Sequence, residues 1–314
     1  GQSFVSGGFD NTVRLWDVDS DTPRHTMDRG ERQVRAAAFA TDGESFVTGA
    51  QTGVATIWDA ETGDPLKELK TTQEIFDVDF CPSGEFVATA HRDKKVRVWS
   101  VASAEVVLEL EEGHEYFVST ARYSADGGLL VSGCWGRQNS TARVWDAHSG
   151  ALLSELKGHS YNLKCAAFSG DTSLVITGSE DKTAKVWSWR TAKCLQTLRG
   201  HTNKVMCVAL AGTGDGEWQA VTGGMEGDVR CWNVETGECI RTTSLSGPAT
   251  SISFLRQGTL QLLVTSGNDI VALDFNGPVS PMVSAQDLPV RLSEPPHGCP
   301  SPPHAITYAA YGRR

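Results

Sequence analysis

Between His159 and Trp187 the chain gathers an imidazole, a hydroxyl at Thr177 and a carboxylate at Asp181. Those three types, hydrogen-bonded in series, can relay a proton and activate a hydroxyl as a nucleophile. Their surroundings do not suit that chemistry. No Gly-x-Ser-x-Gly turn presents a serine, and there is no His-Glu-x-x-His, no phosphate-binding loop and no Gly-x-Gly-x-x-Gly after a strand. The histidines are scattered rather than set in ligand-spaced clusters, so neither a metal nor a cofactor is expected. Acidic pairs such as Glu111-Glu112 read as a solvated edge, not an acid/base dyad. The chain reads as a non-enzyme.

The elements that hold these residues are short strands. From Gly158-His159 the sequence runs through alternating Leu163, Cys165 and Ala167 to the polar turn Ser169 to Thr172. An apolar run from Leu174 to Thr177, the tight turn Ser179 to Lys182 and the run Ala184 to Ser188 follow. Period-two alternation broken by Gly, Ser and Asp turns predicts antiparallel strands joined by hairpins. Such a unit buries too little by itself and must stack on copies. Tryptophan gives the period: Trp16, Trp58, Trp99, Trp145, Trp187 and Trp232 recur at spacings of 42, 41, 46, 42 and 45 residues, and a further 41 residues reach Leu273. Forty to forty-five residues with four strands per unit predicts propeller blades.

Gly-His at 113–114, 158–159 and 200–201, with Trp-Asp at 16–17, 58–59 and 145–146, makes the chain resemble WD40 repeats over nearly its whole length. The resemblance implies an all-β, seven-bladed WD40 β-propeller with four-stranded antiparallel blades, one domain over 1–314 with repeats in 1–276. The chain enters at Ser3 to Gly7, which matches the second strand of a blade, so the innermost strand of blade one must come from elsewhere. Ile306 to Tyr311 align with Leu163 to Phe168 position by position. A strand over 305–312 is therefore expected to pair with the N-terminal strand and close the ring, removing exposed edges. Residues 277–304 hold eight of the twelve prolines and read as a connector.

In the family a Gly-His histidine, a Ser/Thr on the second strand, a turn Asp and the Trp form a hydrogen-bonded chain, each link contributing on the order of 1 kcal/mol. Here the resemblance assigns that structural tetrad in full only to blade five, as His159, Thr177, Asp181 and Trp187. Blade six has His201, Thr222 and Trp232 with Glu226 in the Asp place, and blade four has His114, Ser132 and Trp145 without the Asp. Blade three has Thr89, Asp93 and Trp99 without the His.

What remains is surface. A net charge of −10 argues against nucleic-acid binding. No stretch approaches the length of a membrane span. Cysteines without paired spacing, among them Cys165, Cys207 and Cys231, fit a reducing compartment, so the expected location is cytoplasmic, with nuclear or cytoskeletal/ciliary settings as alternatives. The resemblance implies a non-catalytic scaffold that binds partner proteins or peptides on the face carrying the Gly-His loops. Positions expected to face that rim include Phe9, Arg35, Gln51, Phe76, Arg92, Phe117, Trp135, Arg137, Lys164, Met206 and Met225. Trp135 and Arg137 lie in the insertion that stretches one repeat to 46 residues. Two further readings are a substrate receptor of a cullin-type ubiquitin ligase, from Trp187-Ser188-Trp189-Arg190, and a propeller module of a cytoskeletal or ciliary protein.

Overall fold

The computed structural model describes residues 2–8, 11–17, 20, 22–28, 33–111, 113–136, 140–213, 217–254, 261–266, 269–275 and 306–313. These residues form seven antiparallel sheets. Blade one contains β1 (Gln2–Gly8), β2 (Thr12–Asp17) and β3 (Pro23–Asp28). Blade two contains β4 (Val34–Phe39), β5 (Ser45–Ala50), β6 (Val54–Asp59) and β7 (Pro65–Lys70). Blade three contains β8 (Ile75–Phe80), β9 (Phe86–His91), β10 (Val96–Ser100) and β11 (Val106–Leu110). In blade four are β12 (Val118–Tyr123), β13 (Leu129–Cys134), β14 (Thr141–Asp146) and β15 (Leu152–Lys157). In blade five are β16 (Leu163–Phe168), β17 (Leu174–Ser179), β18 (Thr183–Ser188) and β19 (Lys193–Arg199). Blade six has β20 (Val205–Gly212), β21 (Trp218–Gly224), β22 (Asp228–Asn233) and β23 (Cys239–Ser244). Blade seven has β24 (Ala249–Phe254), β25 (Gln261–Ser266) and β26 (Asp269–Asp274), three strands among the described residues.

The last strand, β27 (Ile306–Arg313), begins and ends one residue later than the expected 305–312. It pairs antiparallel with β1, setting Ala310 across from Val5 as Ala167 is set across from Ile176 in blade five. The first strands pack side by side, β4 on β8, β8 on β12, β12 on β16, β16 on β20 and β20 on β24, while β27 lies against both β24 and β4. The proline-rich 277–304 segment lies outside the described residues.

Apolar clusters fill the spaces between blades. Trp99 of blade three, for example, joins Val47 and Ile57 of blade two in one cluster. Small residues let the blades close up. A Cβ on Gly178 would sit 2.8 Å from Val205 Cγ1 of the next blade, and one on Gly49 would sit 2.7 Å from Ile75 Cγ2, so glycine is required by close approach. The Asp after the Trp serves a turn: the Oδ1 of Asp59 accepts from the amides of Glu61 at 2.7 Å and Thr62 at 2.8 Å.

Candidate functional site

In blade five the four tetrad side chains are in series. Trp187 Nε1 donates to Thr177 Oγ1 at 2.8 Å, His159 Nε2 lies 2.8 Å from the same hydroxyl, and His159 Nδ1 lies 2.7 Å from Asp181 Oδ2. The carboxylate can only accept, so Nδ1 carries the proton, and the threonine hydroxyl donates to Nε2. Asp181 also accepts from Ser160 N at 3.1 Å and Thr183 Oγ1 at 2.6 Å. Burial raises its carboxyl, but hydrogen bonds and charge from His159 outweigh that and hold it well below the usual range. The set is buried and its donors are consumed internally. It holds a blade together and offers no free nucleophile.

Other blades solve the same problem differently. Glu226 reaches His201 Nδ1 at 2.5 Å, with Thr222 and Trp232 completing that blade. In blade four Arg143 Nη1 stands 3.0 Å from His114 Nδ1 while Glu155 holds the guanidinium at 2.9 Å. A guanidinium can only donate, so His114 must carry its proton on Nε2, the opposite tautomer to His159. Burial and then Arg143 push the His114 imidazole down to about 3. Blade three, which has no Gly-His histidine, draws an imidazole from its own second strand: His91 Nε2 lies 2.7 Å from Thr89 Oγ1, the acceptor of Trp99 Nε1. Burial, then Arg97, lowers His91 to about 4. Neither Arg143 nor His91 stands where the repeat motif places a partner, so only side-chain geometry reveals them.

The rim that carries the Gly-His loops is organised by one repeated contact. In blades two to six the amide of the residue opening the tight turn donates to the carbonyl of a residue just before the inner strand. The pairs are Gln51 to Gln33 at 3.0 Å, Arg92 to Glu74 at 3.0 Å, Trp135 to Phe117 at 2.8 Å, Glu180 to Asn162 at 2.9 Å and Met225 to Lys204 at 2.8 Å. Just below, each inner strand carries a β-bulge. The residues that the strand register skips are Arg35, Phe76, Ser119, Lys164, Met206 and Thr250, with Thr307 in β27. A bulge re-aims the side chain of its extra residue. Those of blades two to seven line a central channel of about 780 Å³. The sequence singled out Arg35, Phe76, Lys164 and Met206; Ser119 and Thr250 occupy the same repeat position and were overlooked as small and polar.

Three aromatic rings meet at the channel mouth over blades three and four. Phe76 and Phe117 stack at 6.1 Å, and Trp135 lies 5.6 Å from Phe76 and 6.4 Å from Phe117. A cation sits against each ring: Arg35 at 4.9 Å from Phe76, Arg92 at 5.2 Å from Phe117 and Lys164 Nζ at 4.2 Å from Trp135. Burial lowers the Lys164 ammonium. Two carboxylates thread the cations. Glu74 pairs with Arg92 at 3.3 Å and accepts from Gln51 at 3.1 Å, while Glu180 pairs with Lys204 at 2.9 Å and Lys164 at 3.6 Å and accepts from Asn162 at 2.9 Å. Burial opposes the ionisation of Glu180, yet Lys204, Asn162 and Lys164 outweigh it and depress its titration. Nε1 of Trp135 and Nε of Arg35 are buried without a hydrogen-bond partner among the described residues.

The remaining expected rim residues are more dispersed. Met206 is half-buried on the channel wall, and Met225 is 43% exposed on the blade-six turn. Phe9 and Arg137 lie outside the described residues. Two exposed tyrosines complete the rim, Tyr116 at 45% and Tyr161 at 55%. Each stands two residues after its motif histidine, in the repeated pattern Gly-His-x-Tyr, a signal present in the sequence and not used. Among the described residues no group of three or more His, Cys, Asp or Glu is arranged to hold a metal. No helix among them is long and apolar enough to cross a membrane.

A family model for the WD domain, G-beta repeat, matches residues 1–17, 63–100, 105–146, 150–188 and 192–233, more than half of the chain. The chain is similar to a guanine nucleotide-binding protein subunit beta of Oryza sativa subsp. indica, 32% identical over 157 residues, 45% of this chain and 40% of the relative. It is also similar to a ribosome biogenesis protein WDR12 homolog of Drosophila virilis, 26% identical over 200 residues, 57% of this chain and 47% of the relative. A third is the DENN domain and WD repeat-containing protein SCD1 of Arabidopsis thaliana, 33% identical over 180 residues, 57% of this chain and 14% of the relative. The matched stretch thus spans less than half the length of each of these proteins.

Proposed function

We propose, from the premise that this chain belongs to the WD40 family of WD domain, G-beta repeat proteins, that it is a non-catalytic scaffold. It binds a partner protein or peptide on the rim that carries the Gly-His loops. The observation that carries this reading is the Phe76, Phe117 and Trp135 trio with its three cations at the channel mouth. Half-buried aromatics flanked by arginine are what concentrates binding energy at protein interfaces. The exposed Tyr116 and Tyr161 extend that surface outward over blades four and five. Catalysis finds no support in the tetrads, whose hydroxyls and imidazoles are engaged with one another. A cytoplasmic location is part of the proposal.

Purification of the protein with its partners from the native source, repeated with Phe117→Ala plus Trp135→Ala, tests the site. The expected result is loss of a defined set of partners with the fold retained, as checked by circular dichroism. An unchanged partner set refutes the site. The ubiquitin-ligase reading keeps one observation in its favour: Arg190 is exposed, its guanidinium 4.5 Å from the Trp189 ring in the motif-like turn. Co-purification of a cullin adaptor, lost on Arg190→Ala, would favour it.

A further inference from the structure

The channel mouth has a charge unlike that of the chain as a whole. The chain carries a net charge of −10, yet around the aromatic trio Arg35, Arg92, Lys164 and Lys204 have between them Glu74 and Glu180 as carboxylate partners among the described residues, while Asp77 and Asp79 of the same channel are held by Arg122. Both carboxylates are already shared, Glu74 between Arg92 and Gln51 and Glu180 among Lys164, Lys204 and Asn162. Arg35 has no carboxylate partner among the described residues, and its only close neighbour of note is the Phe76 ring. The mouth is therefore a cationic island with its own acids spent.

Two donors point to what is missing. The Nε of Arg35 and the Nε1 of Trp135, both beside the Phe76 ring, are buried and without a hydrogen-bond partner among the described residues. Buried donors normally find an acceptor, and one left alone costs about 1–3 kcal/mol. Each ring already has one of the protein's own cations against it, at 4.2 to 5.2 Å. A positively charged ligand would meet repulsion from those cations. A ligand bringing negative charge and acceptor oxygens would meet four cations and two waiting donors.

Building on the reading of this rim as a protein-binding surface, we infer that the channel mouth over blades two to five takes an extended acidic peptide segment. Its carboxylate or phosphoserine oxygens accept from Arg35, Lys164 and the Trp135 indole. The bulge that projects Arg35 and Lys164 from their strands sets the two cations on either side of the trio, so the peptide lies across the channel mouth.

Fluorescence polarisation tests this with four short labelled peptides of equal length on the whole protein. One is rich in Glu and Asp, one is its phosphoserine counterpart, one its Gln and Asn counterpart, and one its Lys counterpart. Expected is binding of an anionic peptide that weakens as salt rises, with the Gln and Asn peptide at least about tenfold weaker. Arg35→Gln and Lys164→Gln, made separately and checked for unchanged melting, should each weaken the anionic peptide by about tenfold, while Lys193→Gln, which removes an exposed cation on the outer strand of blade five, leaves it unchanged. Binding of both anionic peptides names carboxylate as sufficient, and binding of the phosphoserine peptide alone names phosphate; either supports the inference. Equal binding of the neutral peptide, preference for the Lys peptide, or binding of neither anionic peptide overturns it. If the inference fails while Phe117→Ala plus Trp135→Ala still removes partners, the protein-binding surface stands without the acidic preference. If anionic peptides bind and the partner set is unchanged, it is the reading of native partners that fails.

Discussion

Acidification should loosen this propeller well above the range where carboxylates usually protonate, and the reason is two buried neutral imidazoles. His91 and His114 are 0% and 5% exposed. Burial, reinforced by Arg97 and Arg143, lowers them from 6.5 to about 4 and about 3. A lowered imidazole is protonated in the unfolded chain before it is protonated in the folded one, so stability falls as pH drops below 6.5. At about 1.4 kcal/mol per tenfold change in proton affinity, going from pH 7 to pH 4.5 removes about 2.5 kcal/mol at each site. Asp79 opposes them. Burial, only partly offset by Arg122, lifts its carboxyl from 3.8 to about 6, so the folded form takes up a proton first and gains about 2 kcal/mol over the same interval. Asp77, also raised by burial, opposes in the same sense as Asp79, while His201, lowered by burial, adds to the loss, so a single-histidine variant isolates the effect. Urea unfolding at pH 7 and pH 4.5 reads this directly, provided the slope is constant. In His91→Gln, which keeps a hydrogen-bonding group for Thr89, the loss between the two pH values should shrink by about 2.5 kcal/mol. A variant with the full wild-type pH dependence would refute the reasoning, whatever its absolute stability.

Other expectations are as direct. Nitrogen NMR of the imidazoles should find the proton of His159 on Nδ1 and that of His114 on Nε2, because Asp181 accepts and Arg143 donates; the same tautomer at both sites would contradict the geometry. Thr177→Val strands the Trp187 indole and His159 together, and should cost about 2 kcal/mol in a denaturation experiment, more than Ser160→Ala, which removes no tetrad atom. Gly178→Ala forces a methyl to 2.8 Å from Val205 Cγ1 and should destabilise by about 1–3 kcal/mol, with Gly170→Ala, which meets nothing within 4 Å, as the control. Truncation of 306–313 leaves β1 with an unpaired edge and should lower the melting temperature and promote association, measured by light scattering. Unchanged melting and a monomeric truncated protein would mean the pairing contributes nothing.

The parts of the molecule legible from the sequence are those fixed by period. Tryptophans spaced by one blade, Gly-His loops and short turns repeat, and repetition makes their placement arithmetic. The pairing position of β27 against β1 followed from matching Ile306 to Tyr311 onto Leu163 to Phe168, because a single face pattern admits a single register. Partners recruited from outside the pattern could not be read. His91 enters its tetrad from the strand that already bears Thr89, and Arg143 from the strand that bears Trp145. A pairwise distance, not a spacing, makes them partners. The same limit applies at the channel mouth. Phe76, Phe117 and Trp135 are each expected on the rim from their place in the repeat, but that they touch one another, each beside a cation, depends on how adjacent blades rotate. Arg122 holding Asp77 at 2.7 Å between two inner strands is a further inter-blade tie that no local motif announces.

The bulge in each inner strand has an implication for engineering. The strand register skips its extra residue, so the backbone ladder does not depend on that side chain, although Ser119 donates to the carbonyls of Gly133 and Leu163 and Thr250 shares a hydrogen bond with Thr265. Six positions about one repeat apart in the sequence thus become neighbours around a single opening while standing outside the register of the backbone ladders. Randomising Arg35, Phe76, Ser119, Lys164, Met206 and Thr250 together would vary the chemistry of the opening on a constant frame. A selection library built on those six codons should retain folded members at a frequency that no comparable set of core positions would allow.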